Sequence, residues 1–249
     1  MGSAEPSTGI GSVRGVIRRR LLVNALVDPD EARSHLPDGI RPHATEAGTV
    51  VGCCLLDLGG LRPMPLPASA GVTMRAAAHR ISVEWDESGE VVVGVYVPMR
   101  HTSSRLAVAL GGRVFPGAHR RARVSVVRTS DLVRWDVSGV DNSDRFDIHV
   151  EVETSRVDYG PVAPDDVVGA TCIGASVGLS PDRHGVLEAA RMEPESLDAR
   201  RVELDDLRSE FIEGFVTAEA APTYLMEDVA VRWSPAVAPP VGVDDTVLR

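Results

Sequence analysis

The sequence predicts a mainly β protein, a barrel or sandwich with a few short helices appended. Three observations predict it. Apolar alternation with period two recurs in many short segments, turn residues separate those segments at short spacing, and few stretches carry a helical period. Hydrophobic residues make up 43% of the 249 positions and charged residues 25%, enough for a sizeable core. Aromatics are only 4%, so that core must be built from Val, Leu, Ala and Ile.

Residues 1–15 are small and polar and predict a disordered tail, which leaves 16–249 as one barrel domain. Arg18 to Val27 reads as a strand. Asp28-Pro29-Asp30-Glu31 predicts a helix start, with Asp28 as cap, Pro29 in the first turn and Glu31 reaching back in a capping box. That helix ends before Pro37-Asp38-Gly39. Thr49 to Leu58 is an apolar strand, and the three prolines of Leu61–Pro67 predict a loop. In His79–Trp85, Ile81, Val83 and Trp85 share one face while Arg80, Ser82 and Glu84 share the other. Asp86–Gly89 is a hairpin turn into the strand Glu90–Val97. Thr102–Leu110 reads as a short helix, with Gly111-Gly112 available for its C-cap.

Strands are predicted at 121–128, 131–138 and 145–153. A bent, glycine-containing strand follows at 166–179 and another strand at 186–193. Leu204–Phe215 reads as a helix and Tyr224–Trp233 as a late alternating strand. The Pro/Val-rich tail from Ser234 is expected to be extended.

Charge and composition exclude several function classes. The net charge of -10 would repel a polyanion, so no nucleic-acid partner is expected. All 26 Lys-plus-Arg positions are arginine, so no side-chain amine is available to form an imine. The three cysteines, Cys53, Cys54 and Cys172, are odd in number with an adjacent pair, which is no disulfide framework and no metal spacing. Residues 1–16 lack signal-peptide features, and no apolar run reaches membrane-spanning length. The expectation is a cytoplasmic protein without a membrane partner.

Two stretches carry a resemblance. Arg18-Arg19-Arg20-Leu21-Leu22-Val23-Asn24-Ala25-Leu26-Val27-Asp28-Pro29 runs into Leu36-Pro37-Asp38-Gly39-Ile40-Arg41-Pro42. Arg80-Ile81-Ser82-Val83 is followed by Gly94-Val95-Tyr96-Val97, the Ser104–Leu110 segment and Gly112-Arg113-Val114-Phe115-Pro116-Gly117-Ala118-His119. In order and spacing these resemble the acetoacetate decarboxylase-like superfamily, in an uncharacterised bacterial branch. The resemblance spans roughly residues 16–128, about half the chain.

It implies a cone-shaped, mostly antiparallel β-barrel with a central ligand cavity, in a homo-oligomer. In the decarboxylases a Gly-Phe-Pro-Lys-Lys segment supplies the Schiff-base lysine and a second lysine that lowers its pKa. Here Gly117 and Ala118 stand in those places, and Ala76 stands where the decarboxylases carry a glutamate. An arginine of the first strand is retained as Arg18. The resemblance thus implies a kept pocket with its amine chemistry removed.

Arg18, Arg80 and Arg113 are expected to point inward, each a permanently charged fork for a carboxylate or enolate oxygen. The competing reading is a surface or structural ion pair. His119 is a candidate general acid or base, against a buried histidine bonded to backbone. His101 is a weaker substrate-binding candidate. His79 lies on the opposite strand face from Arg80, so only one of the two can face a cavity. The expected roles are His119 and Arg80 as catalytic, with Arg18, Arg113 and His101 binding substrate.

Other patterns read as structure. Asp147, His149, Glu151 and Glu153 share one strand face, which suits a metal but equally a solvated polar face, the preferred reading. Gly174-Ala175-Ser176-Val177-Gly178 matches a nucleophile elbow, but Pro181 prevents the helix that must follow. Cys53 and Cys54 fall on opposite faces of an apolar strand, as core thiols.

The sequence therefore predicts a small-molecule enzyme without cofactor or metal, of lyase, isomerase or cyclase type. Its substrate would be an enolisable carbonyl or polyketide-like intermediate, with a link to secondary metabolism and antibiotic biosynthesis. The alternative is a non-catalytic protein that binds an organic acid or a hydrophobic metabolite.

Overall fold

The structure, a computed structural model, describes residues 11–110, 116–140, 147–154, 162–163 and 165–239. Thirteen strands form one sheet among these residues. They are β1 (Val13–Val27), β2 (Arg41–Pro42), β3 (Ala44–Thr45), β4 (Gly48–Pro63), β5 (Val72–Glu87) and β6 (Glu90–Thr102). The series continues with β7 (His119–Arg128), β8 (Leu132–Gly139), β9 (Ile148–Glu153), β10 (Val177–Pro181), β11 (Leu187–Pro194), β12 (Arg200–Ser209) and β13 (Glu219–Ala236). Four short helices accompany them: α1 (Pro29–Arg33), α2 (Arg105–Leu110), α3 (Val167–Gly174) and α4 (Glu210–Glu213). The expected mainly β barrel is present.

The pairing closes the sheet twice. One ring runs β6-β5-β4-β1-β13-β11-β10 and returns to β6. The second runs β6-β7-β8-β9-β12-β13 and returns through β1, β4 and β5. Pairing is antiparallel except where β10 and β7 meet β6. The five shared strands form a wall between two interiors, so their side chains alternate between two buried faces rather than between core and water.

Each interior has its own apolar cluster. Ile17, Leu22, Leu58, Met226 and Trp233 fill the first ring. Leu21, Val51, Ile81, Trp135, Val150 and Leu225 fill the second. The adjacent thiols are divided as expected, with Cys54 in the first cluster and Cys53 in the second.

Several boundaries differ from the sequence reading. β1 begins at Val13, inside the expected tail, because Val13 pairs with both Trp233 and Pro63. β4 continues through Leu61, paired with Val72, so the loop is shorter than the prolines suggested. Segment 166–179 is not one bent strand: Asp166 accepts from the Gly169 amide at 2.9 Å and caps α3, and only then does β10 begin. Leu204–Phe215 is not a helix but the end of β12 followed by the single turn α4. Asp28 caps α1 as predicted, accepting from Asp30 and Glu31 amides at 2.7 and 3.4 Å. Glu31 does not complete a capping box, since its carboxylate accepts from the Val216 and Thr217 amides at 2.6 and 3.0 Å.

No helix among the described residues is long and apolar enough to cross a membrane.

Candidate functional site

The first ring keeps an open cavity of about 90 Å³. At roughly 10–15 Å³ for each water-sized group, it has room for about six to nine such groups. Its walls are mostly apolar, from Leu56, Val95, Val97, Met192 and Trp233. Into this setting project three guanidiniums, those of Arg20, Arg80 and Arg100.

A β-bulge delivers the first of them. The β1–β4 register shifts between Ile17 and Arg19. Before the shift Val13 and Ile17 face the first ring, and after it Leu22 does, with Arg20 on the same face. Arg20 is consequently buried, with Nε 3.4 Å from the Cys54 sulfur and Nη1 3.7 Å from that of Met226. Sulfur is a weak acceptor, so these contacts hold the side chain without answering its charge.

Arg80 is 4% exposed and reaches the cavity from β5. Its Nη1 donates to the Cys172 carbonyl at 3.3 Å and its Nη2 to the Asn24 side-chain oxygen. Its Nε is buried with no hydrogen-bond partner among the described residues. Asn24 is fixed in turn, its amide donating to the Pro222 and Leu22 carbonyls at 2.6 and 3.3 Å. Arg100 donates from Nε to the Ser180 hydroxyl at 3.0 Å, and burial pulls its pKa down to about 10, still charged at neutral pH. Among the described residues, no carboxylate lies within ion-pairing distance of these three guanidiniums.

The segment Pro116–His119 is packed beside this cavity. Pro116 lines it. The Gly117 amide donates to the Glu188 carboxylate at 2.6 Å, and the Ala118 amide to the Pro181 carbonyl at 3.0 Å. His119 Nδ1 lies 3.2 Å from the Gly117 carbonyl. Burial first, and then the charge of Arg100, lower the pKa of His119 to about 4, against that backbone contact. His119 is therefore a neutral imidazole at pH 7, set behind Arg100 rather than among the residues lining the cavity.

Of the residues expected inward, Arg80 lines the cavity. Arg18 is exposed, and the bulge gives its place to Arg20. Arg113 lies outside the described residues. His101 is fully buried but turns to the second ring, where its ring meets His79 edge-on at 5.5 Å. There His79 also lies 3.3 Å from the Cys53 sulfur and 5.1 Å from the ring of Phe211. Burial pushes the Cys53 thiol up to about 12, and burial followed by His101 holds His79 well below the usual histidine range. That cluster belongs to the apolar core of the second ring.

The acidic strand face is an ion-pair surface. His149 Nδ1 lies 2.6 Å from Asp136, and its Nε2 lies 3.5 Å from Asp206. No group of three or more metal-ligating side chains is placed to hold a metal among the described residues. Ser176 immediately precedes β10, its hydroxyl accepting from Arg191 at 3.0 Å, and a strand, not a helix, follows it. Arg20, Arg100 and Cys54 are the site residues the sequence reading missed. A bulge and a strand end hid the arginines, and an ordinary apolar strand hid the thiol.

No known family profile and no curated protein matches the chain. Solved structures do. An acetoacetate decarboxylase from Legionella pneumophila superposes with TM-score 0.60 at 12% identity, covering 96% of this chain and 92% of that one. An acetoacetate decarboxylase-like enzyme from Sphingomonas wittichii gives 0.61 at 13%, covering 91% of each chain. The enduracididine biosynthesis enzyme MppR, complexed with pyruvate, gives 0.54 at 12%, covering 93% of this chain and 90% of that one. The chain has the acetoacetate decarboxylase-like fold.

Proposed function

We propose that this chain is a small-molecule enzyme without Schiff-base chemistry, which binds an enolisable oxo acid in the first ring and stabilises its enolate. The observation that carries the proposal is the convergence of Arg20, Arg80 and Arg100 on one cavity where, among the described residues, no carboxylate answers their charge. Buried cations lacking a counter-charge are costly, and a bound carboxylate supplies both the charge and the missing acceptors. The sequence contains no lysine, so the ligand is held by charge and shape instead of an imine.

Pyruvate, the ligand seen in MppR, has the size that about 90 Å³ admits. One guanidinium takes the carboxylate. Another faces the carbonyl oxygen, where negative charge grows as the α-proton leaves. The apolar walls lower the local dielectric and strengthen both contacts. The reaction type is a lyase, isomerase or cyclase step that proceeds through the enolate, and the biosynthetic role of MppR supports a place in secondary metabolism.

A non-catalytic acid-binding protein is the second reading, favoured by how few proton-transfer groups line the cavity. One experiment separates them. Pyruvate is incubated with the protein in D₂O and loss of its methyl proton signal is followed by NMR. Enzyme-dependent exchange supports the enzyme. Binding without exchange supports the binder, and absence of both overturns the proposal.

A further inference from the structure

We infer that Cys54 is the acid–base group of this cavity, the atom that takes the α-proton from a bound oxo acid. The inference rests on the oxo-acid reading above and adds the residue that moves the proton. Its basis is positional. Cys54 faces the first ring and lines the cavity with Arg20, Arg80 and Arg100. Apart from those arginines it is the one titratable side chain lining the cavity among the described residues.

The other two thiols do not line the cavity. Cys53 points into the second ring, and Cys172 donates its thiol hydrogen to the Asn24 oxygen at 3.2 Å.

The setting around the sulfur matches this role. Arg20 aims Nε at it from 3.4 Å. Cysteine takes up a proton through its thiolate form. A second observation that points to a ligand concerns Arg80. It is 4% exposed and lines the same cavity, with its Nε left without an acceptor.

The step balances without a further reactant. The thiolate takes the proton as the S–H bond forms and the C–H bond breaks. That electron pair becomes the new C=C bond, and the carbonyl π pair moves onto oxygen, where a guanidinium receives it. Reversal returns the proton to the same or a different carbon.

The test uses the full chain and pyruvate. Cys54→Ser keeps shape and polarity but lacks an ionisable thiol. It should slow deuterium entry at the pyruvate methyl by at least about 100-fold, while the pyruvate Kd changes less than about threefold. Exchange in Cys54→Ser at more than about a third of the wild-type rate overturns the inference and leaves the enolising enzyme intact. If wild-type protein does not bind pyruvate, the oxo-acid reading fails first and the inference falls with it. Alkylation of the wild type gives a second, fold-independent test. Iodoacetate, an anion, should label Cys54 faster than neutral iodoacetamide, and pyruvate should slow it. Slower labelling by iodoacetate overturns the inference.

Discussion

Arg80 donates to the side-chain oxygen of Asn24, a neutral amide where a buried arginine commonly meets a carboxylate. The amide orients the guanidinium and leaves its charge available to a ligand. Replacing Asn24 with Asp supplies the missing counter-charge in place. Asn24→Asp should weaken pyruvate binding by about tenfold or more, since a charged hydrogen bond is worth roughly 1.5–3 kcal/mol. Calorimetric titration checks it, and unchanged affinity would mean that Arg80 does not bind the acid.

The neutral state of His119 makes stability depend on pH. Its native pKa of about 4 lies below the value of about 6.5 in the unfolded chain. The unfolded state therefore binds more protons between those values. The stabilisation is full above pH 6.5 and is lost as pH falls toward 4. From pH 7 to pH 5 the loss attributable to His119 is about 2 kcal/mol. Urea unfolding at the two pH values should show that part of the loss disappear in His119→Gln. An undiminished loss would place the proton uptake elsewhere, His79 being the other depressed histidine.

The backbone around Gly117 leaves no room for a larger side chain. Gly117 has φ +85°, and a Cβ there would sit 2.4 Å from that of Ser180, the residue that holds Arg100. Gly117→Lys should lower Tm by about 5 °C or more, a clash and strained backbone together costing roughly 2 kcal/mol. It should also give no pyruvate adduct trapped by borohydride, as read by intact mass. A trapped adduct would show that the amine chemistry can be restored by one residue.

Much of the fold was legible because period two survives wherever a strand is regular. His79–Trp85 is such a case: Ile81, Val83 and Trp85 pack in the second ring, while on the other face Arg80 reaches the first ring and Glu84 pairs with Arg41 and His43. The two largest misreadings share one physical cause. A bulge between Leu204 and Asp206 in the β9–β12 pairing spaces Leu204 and Leu207 three apart, which imitates a helical period. The bulge between Ile17 and Arg19 likewise moves the inward position from the odd to the even residues of β1 and seats Arg20 in the cavity. Bulges depend on pairing partners distant in sequence, so neither is visible from the local pattern. Segment 166–179 failed for another reason. Its small residues carry little periodicity, and the cap at Asp166 decides for helix.

The central claim is that a small organic anion is held by the three inward guanidiniums. Calorimetric titration of pyruvate into wild type and into Arg18→Gln, Arg20→Gln, Arg80→Gln and Arg100→Gln tests it most directly. Binding should weaken by about 10- to 100-fold for each of the last three and stay unchanged for Arg18→Gln, whose side chain is exposed. Equal affinity across the series, or loss confined to Arg18→Gln, would contradict the account.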